Sequence, residues 1–279
     1  MTVDVICPLY NAEKFIINLN NSIISQKNVQ INEIKYILTE SNDNSEEVLK
    51  NNNINYEKIK KSEFSHSLTR ERAALKSKAD IIVFISQDIE IKRRDWLYNL
   101  VKDIDGSVVA AYSRQLTKYN GIEKYTREKN YPNKSRVISN DDIKELGLRT
   151  FFFSDASSAI KTSVFKDLNG YDQKDLPINE DMYFAYKLIT NGYKIKYCAD
   201  SEIYHSHKFT LKQLYNRYKL TGQFMKENSY LDKYGTTGSG ANMAKYILIR
   251  IFQEKHFSLL FRYPFDMAVR LLGMKVGKR

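Results

Sequence analysis

Short apolar runs alternate with segments of helical periodicity along the first two thirds of the chain. Runs at 3–7, 35–39, 80–86 and 107–113 have the length and apolar content of buried strands. Between them, apolar residues recur three or four positions apart, as in residues 67–78, and this spacing predicts helices. Strands joined by helical crossovers pair in parallel. The pattern therefore predicts an α/β fold with a Rossmann-like, mostly parallel sheet flanked by helices.

Polar residues follow three of these predicted strands at the point where each strand ends. The polar loops begin at Pro8, at Glu40 and at the pair Gln87 and Asp88. Ligands of such sheets bind beyond the carboxyl ends of the strands, so we expect the three loops to line one crevice. Residues 114–150 are polar and irregular, and we expect them to form a loop over that crevice or an insertion on its acceptor side. Residues 194–198 and 202–205 are predicted to form two short strands.

The C-terminal part of the chain has a helical pattern and a basic charge. We expect one domain at residues 1–208 and a helical extension at 209–279, with the glycine-rich segment 234–240 as a hinge. Residues 243–279 contain eight Lys or Arg and two acids, so they contribute +6 to a net charge of +11. A basic, amphipathic extension favours contact with an anionic membrane surface. The alternative is an ordinary amphipathic helix packed on the main domain.

Composition excludes several other classes of protein. No run approaches the roughly 18 apolar residues of a spanning helix, and the first residues do not resemble a signal peptide. We expect a cytoplasmic protein, peripheral on the inner face of the membrane. Cys7 and Cys198 lie in apolar runs and predict buried free thiols. A nucleic-acid partner is not expected, because basic and aromatic residues do not alternate on a predicted strand.

A metal site is one candidate for the chemistry of the chain. Asp88 ends a buried strand, and His205 and His207 lie two positions apart, which places both on one face of a strand. Such ligands can hold Mg²⁺ or Mn²⁺ together with a diphosphate, with His205 preferred to His207. Alternatively, Asp88 is a solvated acid and the histidines only cap the strand.

Glu180 and Asp181 are a second candidate, at the start of a predicted helix with Asn179 as N-cap. One of them can act as a general base toward a hydroxyl group. Neighbouring helix positions face different directions, so only one can contact the substrate. Acids in the first turn also stabilise helices without any catalytic role.

Arg70 and Glu40 complete the candidates from residue chemistry. Arg70 lies on the predicted helix that follows His66 and can hold a phosphate through two hydrogen bonds, or it is a solvated surface charge. Glu40 can accept hydrogen bonds from a base or a ribose, or it is an ordinary turn acid.

Short motifs in a fixed order resemble those of glycosyltransferase family 2, which has the GT-A fold, and its bacterial rhamnosyltransferase-like branch. The resemblance covers roughly residues 3–225. The motifs are "CPLYN" (7–11), "ILTES" (37–41), "FSHSLTRERAA" (64–74), "SQDIE" (86–90), "FFFSDASSA" (151–159), "NED" (179–181) and "IYHSHKF" (203–209).

The resemblance implies a role for each candidate residue. Asp88 and His205 would hold a divalent cation, and Asp181, beside Glu180, would be the catalytic base. The donor site would comprise Pro8, Tyr10, Asn11, Glu40, His66, Arg70, Gln87 and Asp88. The sequence departs from the family pattern at Ser86, which replaces the first acid of a D-x-D motif, at Glu71, which replaces an Asn, and at Lys187, which replaces an Arg.

The implied reaction is inverting, metal-dependent transfer of a sugar from a nucleotide-sugar donor. The favoured donor is dTDP-L-rhamnose, and the acceptor is a saccharide or lipid-linked saccharide of a cell-surface polysaccharide. An alternative keeps the fold but uses a UDP-hexose. A second alternative, from another class, is a non-catalytic basic module that binds membrane or nucleic acid.

Overall fold

The protein is described by a computed structural model over residues 1–235 and 239–279, and it divides into two units. Residues 236–238, in the segment predicted as a hinge, lie outside the described residues. The second unit includes two segments that precede the predicted boundary at residue 208. The first unit comprises residues 1–115, 133–141 and 151–205, and the second comprises 116–132, 142–150 and 206–279.

Within the described residues, a sheet of eight strands forms the first unit. Its strands are β1 (Thr2–Leu9), β2 (Gln30–Thr39), β3 (Tyr56–Ile59), β4 (Ile81–Ile85), β5 (Val108–Leu116), β6 (Arg136–Ile138), β7 (Ser157–Lys161) and β8 (Lys194–Tyr204). Their order in the sheet is β3-β2-β1-β4-β7-β5-β8-β6. The four strands from β3 to β4 pair in parallel, whereas β7 runs antiparallel to β4 and β5. The predicted α/β fold is thus confirmed.

Helices connect the parallel strands as the sequence predicts. Crossovers run through α1 (Glu13–Ile24), α2 (Ser45–Asn51) and α3 (His66–Leu75). The carboxyl ends of β1, β2 and β4 therefore lie at the same edge of the sheet. The helices of the first unit are α1 (Glu13–Ile24), α2 (Ser45–Asn51), α3 (His66–Leu75), α4 (Trp96–Val101), α7 (Thr162–Asp167) and α8 (Glu180–Thr190). Those of the second are α5 (Ile122–Asn130), α6 (Ile143–Leu146), α9 (Leu211–Glu227), α10 (Ser239–Gln253) and α11 (Leu259–Gly277).

The core of the first unit surrounds the two central strands. Every residue of β4 is buried, and so are all residues of β1 after Thr2, because central strands of such a sheet are covered on both faces. Trp96 is fully buried, and its indole N–H donates to Ser113 Oγ (3.1 Å). Cys7 and Cys198 are buried free thiols, as predicted.

Two sequence-based expectations about secondary structure are wrong. Residues 114–150, expected to be irregular, contain α5, α6 and β6. The pattern hid α5 because this polar helix buries only a narrow face, with Ile122 and Tyr125 against Ile247 and Ile251 of α10. Residues 194–205, expected as two strands, form the single strand β8, which continues through the polar residues in its middle.

The second unit is helical, and close packing of α9 on α11 is its main feature. α9 begins at a capping box, in which Thr210 Oγ1 accepts from the Gln213 N–H (3.2 Å) and Gln213 Oε1 accepts from the Thr210 N–H (2.9 Å). Glycines let the helices approach, since a Cβ on Gly222 would lie 2.5 Å from the Met274 carbonyl oxygen. Among the described residues, none of the helices combines the length and apolar character that crossing a bilayer requires.

Candidate active site

The loop after β1 is joined to the loop after β4 through one glutamine. The Tyr10 N–H donates to Gln87 Oε1 (2.7 Å), and Gln87 Nε2 donates to the Tyr10 carbonyl (2.9 Å). Pro8, two residues earlier, is buried in β1 opposite Ile37 of β2. Three residues predicted for the donor site therefore lie together at the carboxyl edge of the sheet.

The loop after β2 joins the same group. Asn11 has a left-handed backbone (φ 47°). Its N–H donates to Ser41 Oγ (2.9 Å), and its side-chain oxygen accepts from the Asn42 N–H (3.0 Å). These bonds hold the ends of β1 and β2 together, as the parallel pairing requires. The predicted convergence of polar loops at this edge is thus present in the structure.

Glu40 is exposed at the end of β2 and lies next to the turn that follows β3. Its Oε2 accepts from the Lys61 N–H (3.3 Å), and the Lys61 ammonium lies 5.4 Å from the centre of the Tyr10 ring. The carboxylate is thus held at the rim of the group formed by Tyr10, Asn11 and Gln87, where a ligand can reach it.

His66 occupies the first turn of α3 and is exposed. Ser65 is the N-cap of this helix, because its Oγ accepts from the Leu68 N–H (3.3 Å). The His66 ring lies edge-on to Phe64 at 5.2 Å between centroids, and its backbone carbonyl accepts from Arg70 Nη1 (2.9 Å). This geometry fixes the backbone of His66 and leaves its imidazole at the surface.

Asp88 and His205 form a pair at the ends of β4 and β8. His205 Nε2 lies 3.5 Å from Asp88 Oδ1. A backbone bridge sets this approach: the Glu90 N–H donates to the Tyr204 carbonyl (2.8 Å), and the Tyr204 N–H donates back (2.9 Å). The Glu90 side chain instead pairs with Lys92.

The Asp88 and His205 pair fits a divalent cation. Carboxylate oxygen and imidazole nitrogen are ligands that Mn²⁺ accepts. Two ligands at about 2.1 Å and a right angle are about 3 Å apart, close to the observed separation. His205 Nδ1 lies 2.9 Å from Gln115 Oε1. His207, the less favoured ligand, belongs to the second unit, where its ring lies 5.0 Å from that of Phe209.

Asn179 is the N-cap residue of α8, as predicted, but its side chain does not cap the helix. Asn179 has a left-handed backbone (φ 60°, ψ 25°), and its side chain makes no capping bond to any residue that the structure describes. A side-chain cap needs an extended backbone at this position. The Asp181 carboxylate instead bonds a backbone N–H of the first turn, because its Oδ1 accepts from the Met182 N–H (2.7 Å).

Arg70 is buried beneath this helix instead of lying at the surface. Its side chain is about 5% exposed, and its Nη1 lies 3.4 Å from Glu180 Oε1, in addition to its bond to His66. Glu180 is itself buried. Arg70 is thus the counter-ion of an interior carboxylate and not a solvated surface charge.

Asp155, which sequence reasoning missed, belongs to the same group. It is 2% exposed and accepts hydrogen bonds from Tyr171 OH (2.6 Å) and Ser158 Oγ (2.7 Å). Burial raises its pKa to about 6, with Glu180 adding to the effect and Arg70 opposing it. A lone acid between an aromatic run and a strand, in "FFFSDASSA", is the signal that could have identified it.

Asp181 and Glu180 have different environments, so the two carboxylates are suited to different roles. Asp181 is half-buried and retains access to solvent, whereas Glu180 is enclosed against Arg70. Burial, followed by the charges of Glu180 and Asp155, raises the pKa of Asp181 well above its ordinary value. A carboxylate with a raised pKa and an accessible oxygen has the properties of a general base.

Cys7 links the two groups of charged residues. Burial raises the pKa of this thiol; the charge of Arg70 opposes that rise and the charge of Asp88 adds to it. Both charges are therefore close to Cys7, near the carboxyl end of β1. The candidate cation ligand Asp88 and the arginine that pairs with Glu180 thus lie near the same edge of the sheet.

The sheet, the polar loops at its carboxyl edge and the Asp88–His205 pair are typical of α/β proteins that bind nucleotide ligands at this edge. The chain matches the family model described as "Glycosyl transferase family 2" over residues 4–168, which end before α8. It therefore belongs to glycosyl transferase family 2 and is a glycosyltransferase. The predicted family is confirmed, and the alternative of a non-catalytic module is wrong.

Two curated relatives and a solved structure extend this match. The chain is 33% identical to the O-antigen chain rhamnosyltransferase RfbN of Salmonella typhimurium, over 100% of this chain and 90% of the relative. It is 31% identical to WbaN of Salmonella anatum, with the same description, over 98% and 88%. The mannosyltransferase PcManGT of Pyrobaculum calidifontis, solved with GDP-Man and Mn²⁺, has a TM-score of 0.67 at 15% identity, over 99% of this chain and 86% of its own.

Proposed function

We propose that the chain transfers L-rhamnose from dTDP-L-rhamnose, with inversion, to a saccharide hydroxyl of a cell-surface polysaccharide precursor. The observation that carries this proposal is the similarity to two O-antigen chain rhamnosyltransferases along almost the whole chain. The geometry supports the reaction, because donor-loop residues, a cation-binding pair and a base candidate occupy one edge of the sheet.

The donor nucleotide is proposed to bind against the loops after β1, β2 and β4. Pro8, Tyr10, Asn11 and Gln87 form the wall of this site, with His66 at the surface of α3. The Glu40 carboxylate accepts a hydrogen bond from the imide N–H of the base. Thymine and uracil share that imide, so Glu40 does not by itself distinguish dTDP from UDP.

The donor diphosphate is proposed to lie beside Asp88 and His205. These residues would hold Mn²⁺ or Mg²⁺, which, when bound, neutralises the charge of the diphosphate leaving group. The solved neighbour contains Mn²⁺ and a nucleotide sugar in the same fold. His207 remains the second choice as a ligand.

Asp181 is proposed as the catalytic base. Its carboxylate takes the proton of the acceptor hydroxyl, whose oxygen forms a bond to the anomeric carbon from the face opposite the diphosphate. The bond from that carbon to the diphosphate oxygen breaks, and the electron pair leaves with dTDP. Glu180 and Arg70 position Asp181: the ion pair fixes the first turn of α8, and we assign Arg70 this role instead of phosphate binding.

A thermal-shift panel of nucleotides with and without Mn²⁺ tests the donor and the cation. We expect dTDP to stabilise the protein more with Mn²⁺ than without it, because anything that binds only the folded state raises its stability. Asp88→Asn should remove the Mn²⁺-dependent part, whereas Glu57→Gln, an exposed acid on β3, should not. A preference for UDP would support the UDP-hexose alternative, and no response to any nucleotide would contradict the proposal.

Association with an anionic membrane is a further part of the proposal, and α11 is its proposed contact. This helix packs on α9 through Gly273 and Gly277, and an apolar stripe on its other side is exposed to solvent. The stripe consists of Phe261 (83% exposed), Phe265 (60%) and Leu272 (55%). Lys275 and Arg279 follow it, and basic residues beside apolar ones suit a surface of anionic lipid headgroups.

Vesicle sedimentation tests this membrane contact. Wild type should sediment with vesicles that contain phosphatidylglycerol and much less with pure phosphatidylcholine. The double variant Phe261→Ser, Phe265→Ser should not bind the vesicles. The control Ile24→Ser changes a 61% exposed residue of α1 and should bind like wild type. Equal binding by the double variant would refute the assignment to α11.

A further inference from the structure

Gln115 is a buried residue near the cation-binding pair to which the proposed function gives no role. It lies near the end of β5 and is 2% exposed. Its side-chain oxygen Oε1 is 2.9 Å from His205 Nδ1, and its amide nitrogen donates to Ser154 Oγ (2.7 Å). Both ends of the amide are thus in contact with polar groups of the first unit.

The direction of this amide determines which ring nitrogen of His205 carries hydrogen. An amide oxygen only accepts hydrogen bonds, so the group facing it, Nδ1, must be the N–H of the neutral ring. The other nitrogen, Nε2, then carries a lone pair. Nε2 is the atom that lies 3.5 Å from Asp88 Oδ1, so a lone pair and a carboxylate oxygen face each other, an arrangement that a cation between them stabilises.

We infer that Gln115, whose amide nitrogen is bonded to Ser154, is a positioning residue that holds His205 in the Nδ1–H tautomer and so presents Nε2 to a divalent cation beside Asp88. Metal-binding histidines are commonly oriented in this way by a hydrogen bond to the other ring nitrogen. The inference rests on the proposed cation site and adds to it the residue that prepares the ligand.

The opposite amide direction would have the opposite effect. If the Gln115 amide nitrogen faced Nδ1, that nitrogen would have to accept, and the ring hydrogen would lie on Nε2. The hydrogen would then occupy the position at which His205 binds the cation. In the structure the amide nitrogen instead faces Ser154 Oγ, which accepts from it, and the amide oxygen faces Nδ1.

Substitutions at Gln115 separate this role from simple packing. Ionised glutamate has only acceptor oxygens, so Gln115→Glu keeps an acceptor at Nδ1 at pH 8 and should preserve the Nδ1–H. Leucine has a similar size and no acceptor, so Gln115→Leu should release the ring. Ser154→Ala should have an intermediate effect and disturbs the interior least. Gln26→Leu removes a glutamine that bonds the Arg93 carbonyl and the Leu97 N–H, and is the control for lost structural bonds.

Two measurements report on the inference without enzyme turnover. The first is ¹⁵N NMR of histidine-labelled, metal-free protein at pH 8, with His205 assigned by His205→Asn. We expect an Nδ1–H tautomer in wild type and Gln115→Glu, and a mixture in Gln115→Leu. The second is Mn²⁺ affinity in the presence of dTDP, by electron paramagnetic resonance. Gln115→Leu should lower it by about 10- to 100-fold, and Gln115→Glu and Gln26→Leu should stay close to wild type.

The outcomes distinguish this inference from the proposed cation site. An Nε2–H tautomer in wild type overturns the inference. So does wild-type Mn²⁺ affinity in both Gln115→Leu and Ser154→Ala, provided that Asp88→Asn lowers it. If Gln115→Leu does not fold, Ser154→Ala and the wild-type spectrum decide. If wild type binds no Mn²⁺, or Asp88→Asn binds it equally well, the cation site itself is wrong, and the role of Gln115 falls with it.

Discussion

Replacing Arg70 by methionine tests the claim that this residue neutralises interior carboxylates. Methionine keeps much of the volume of the side chain and removes its charge. In wild type, Arg70 lies 3.4 Å from Glu180 and also lowers the pKa of Asp155. Removing one partner of a buried ion pair costs about 3–5 kcal/mol, because the other charge is left without compensation. We expect a loss of that size in the free energy of unfolding at pH 8.

The loss of unfolding free energy in Arg70→Met should depend on pH, and the pKa of Asp155 determines whether it grows or shrinks as pH rises. Its pKa is about 6 in the folded protein and 3.8 ordinarily, a difference worth about 3 kcal/mol. A group whose pKa is raised on folding contributes stability below its ordinary pKa, and this contribution is lost as pH rises through about 6. Without Arg70 the pKa of Asp155 rises further, so the loss extends to higher pH.

Urea unfolding at pH 5 and pH 8 measures both effects. At pH 5 Asp155 holds its proton in both proteins, so Arg70→Met should cost less there than at pH 8. The gap should be about 1.4 kcal/mol for each pH unit by which the pKa of Asp155 rises. Arg72→Met changes an exposed arginine of the same helix, and its effect should be small at both pH values. Equal losses for Arg70→Met at pH 5 and pH 8 would refute the carboxylate argument.

Three further predictions concern the base, its neighbour and the helical unit. The rate of transfer should rise with pH through an inflection well above the ordinary pKa of an aspartate, because burial, Glu180 and Asp155 raise the pKa of Asp181. A rate that does not change with pH below neutrality would contradict this prediction. Asp155→Asn should move that inflection to lower pH, since it removes a neighbouring negative charge, and an unchanged pH profile would argue against the coupling. Gly222→Ala should lower the free energy of unfolding by about 1–3 kcal/mol, because its Cβ would meet the Met274 carbonyl oxygen. Gly240→Ala, with open space around it, should have no such effect. Equal melting temperatures for Gly222→Ala and wild type would contradict the close packing of α9 on α11.

The parallel half of the sheet could be predicted from the sequence because it depends on local signals. Apolar runs and helical spacing predict β1, α1, β2 and β4, and parallel pairing brings their carboxyl ends to one edge. The contact between Tyr10 and Gln87 is a direct result of that geometry. The carboxylate pair at the start of α8 was also visible, since "NED" precedes a periodic apolar segment.

The interior ion pair and the orientation of His205 could not be predicted, because each depends on tertiary contacts. Arg70 is an ordinary surface residue by its type, and only the packing of α3 near Asp155 and Glu180 buries it. Gln115 and Ser154 lie 39 positions apart and meet only in the folded sheet. In the same way, α5 depends on apolar partners in α10, far along the chain.

Transfer of labelled sugar to lipid-linked acceptors in bacterial membranes is the most direct test of the proposed reaction. Wild type and Asp181→Asn are each incubated with Mn²⁺, membranes, and either dTDP-L-[¹⁴C]rhamnose or a labelled UDP-hexose. We predict that wild type moves label from dTDP-L-rhamnose into the lipid fraction, and that Asp181→Asn binds dTDP but transfers nothing. Transfer from the UDP-hexose instead would contradict the donor, and undiminished transfer by Asp181→Asn would contradict the mechanism.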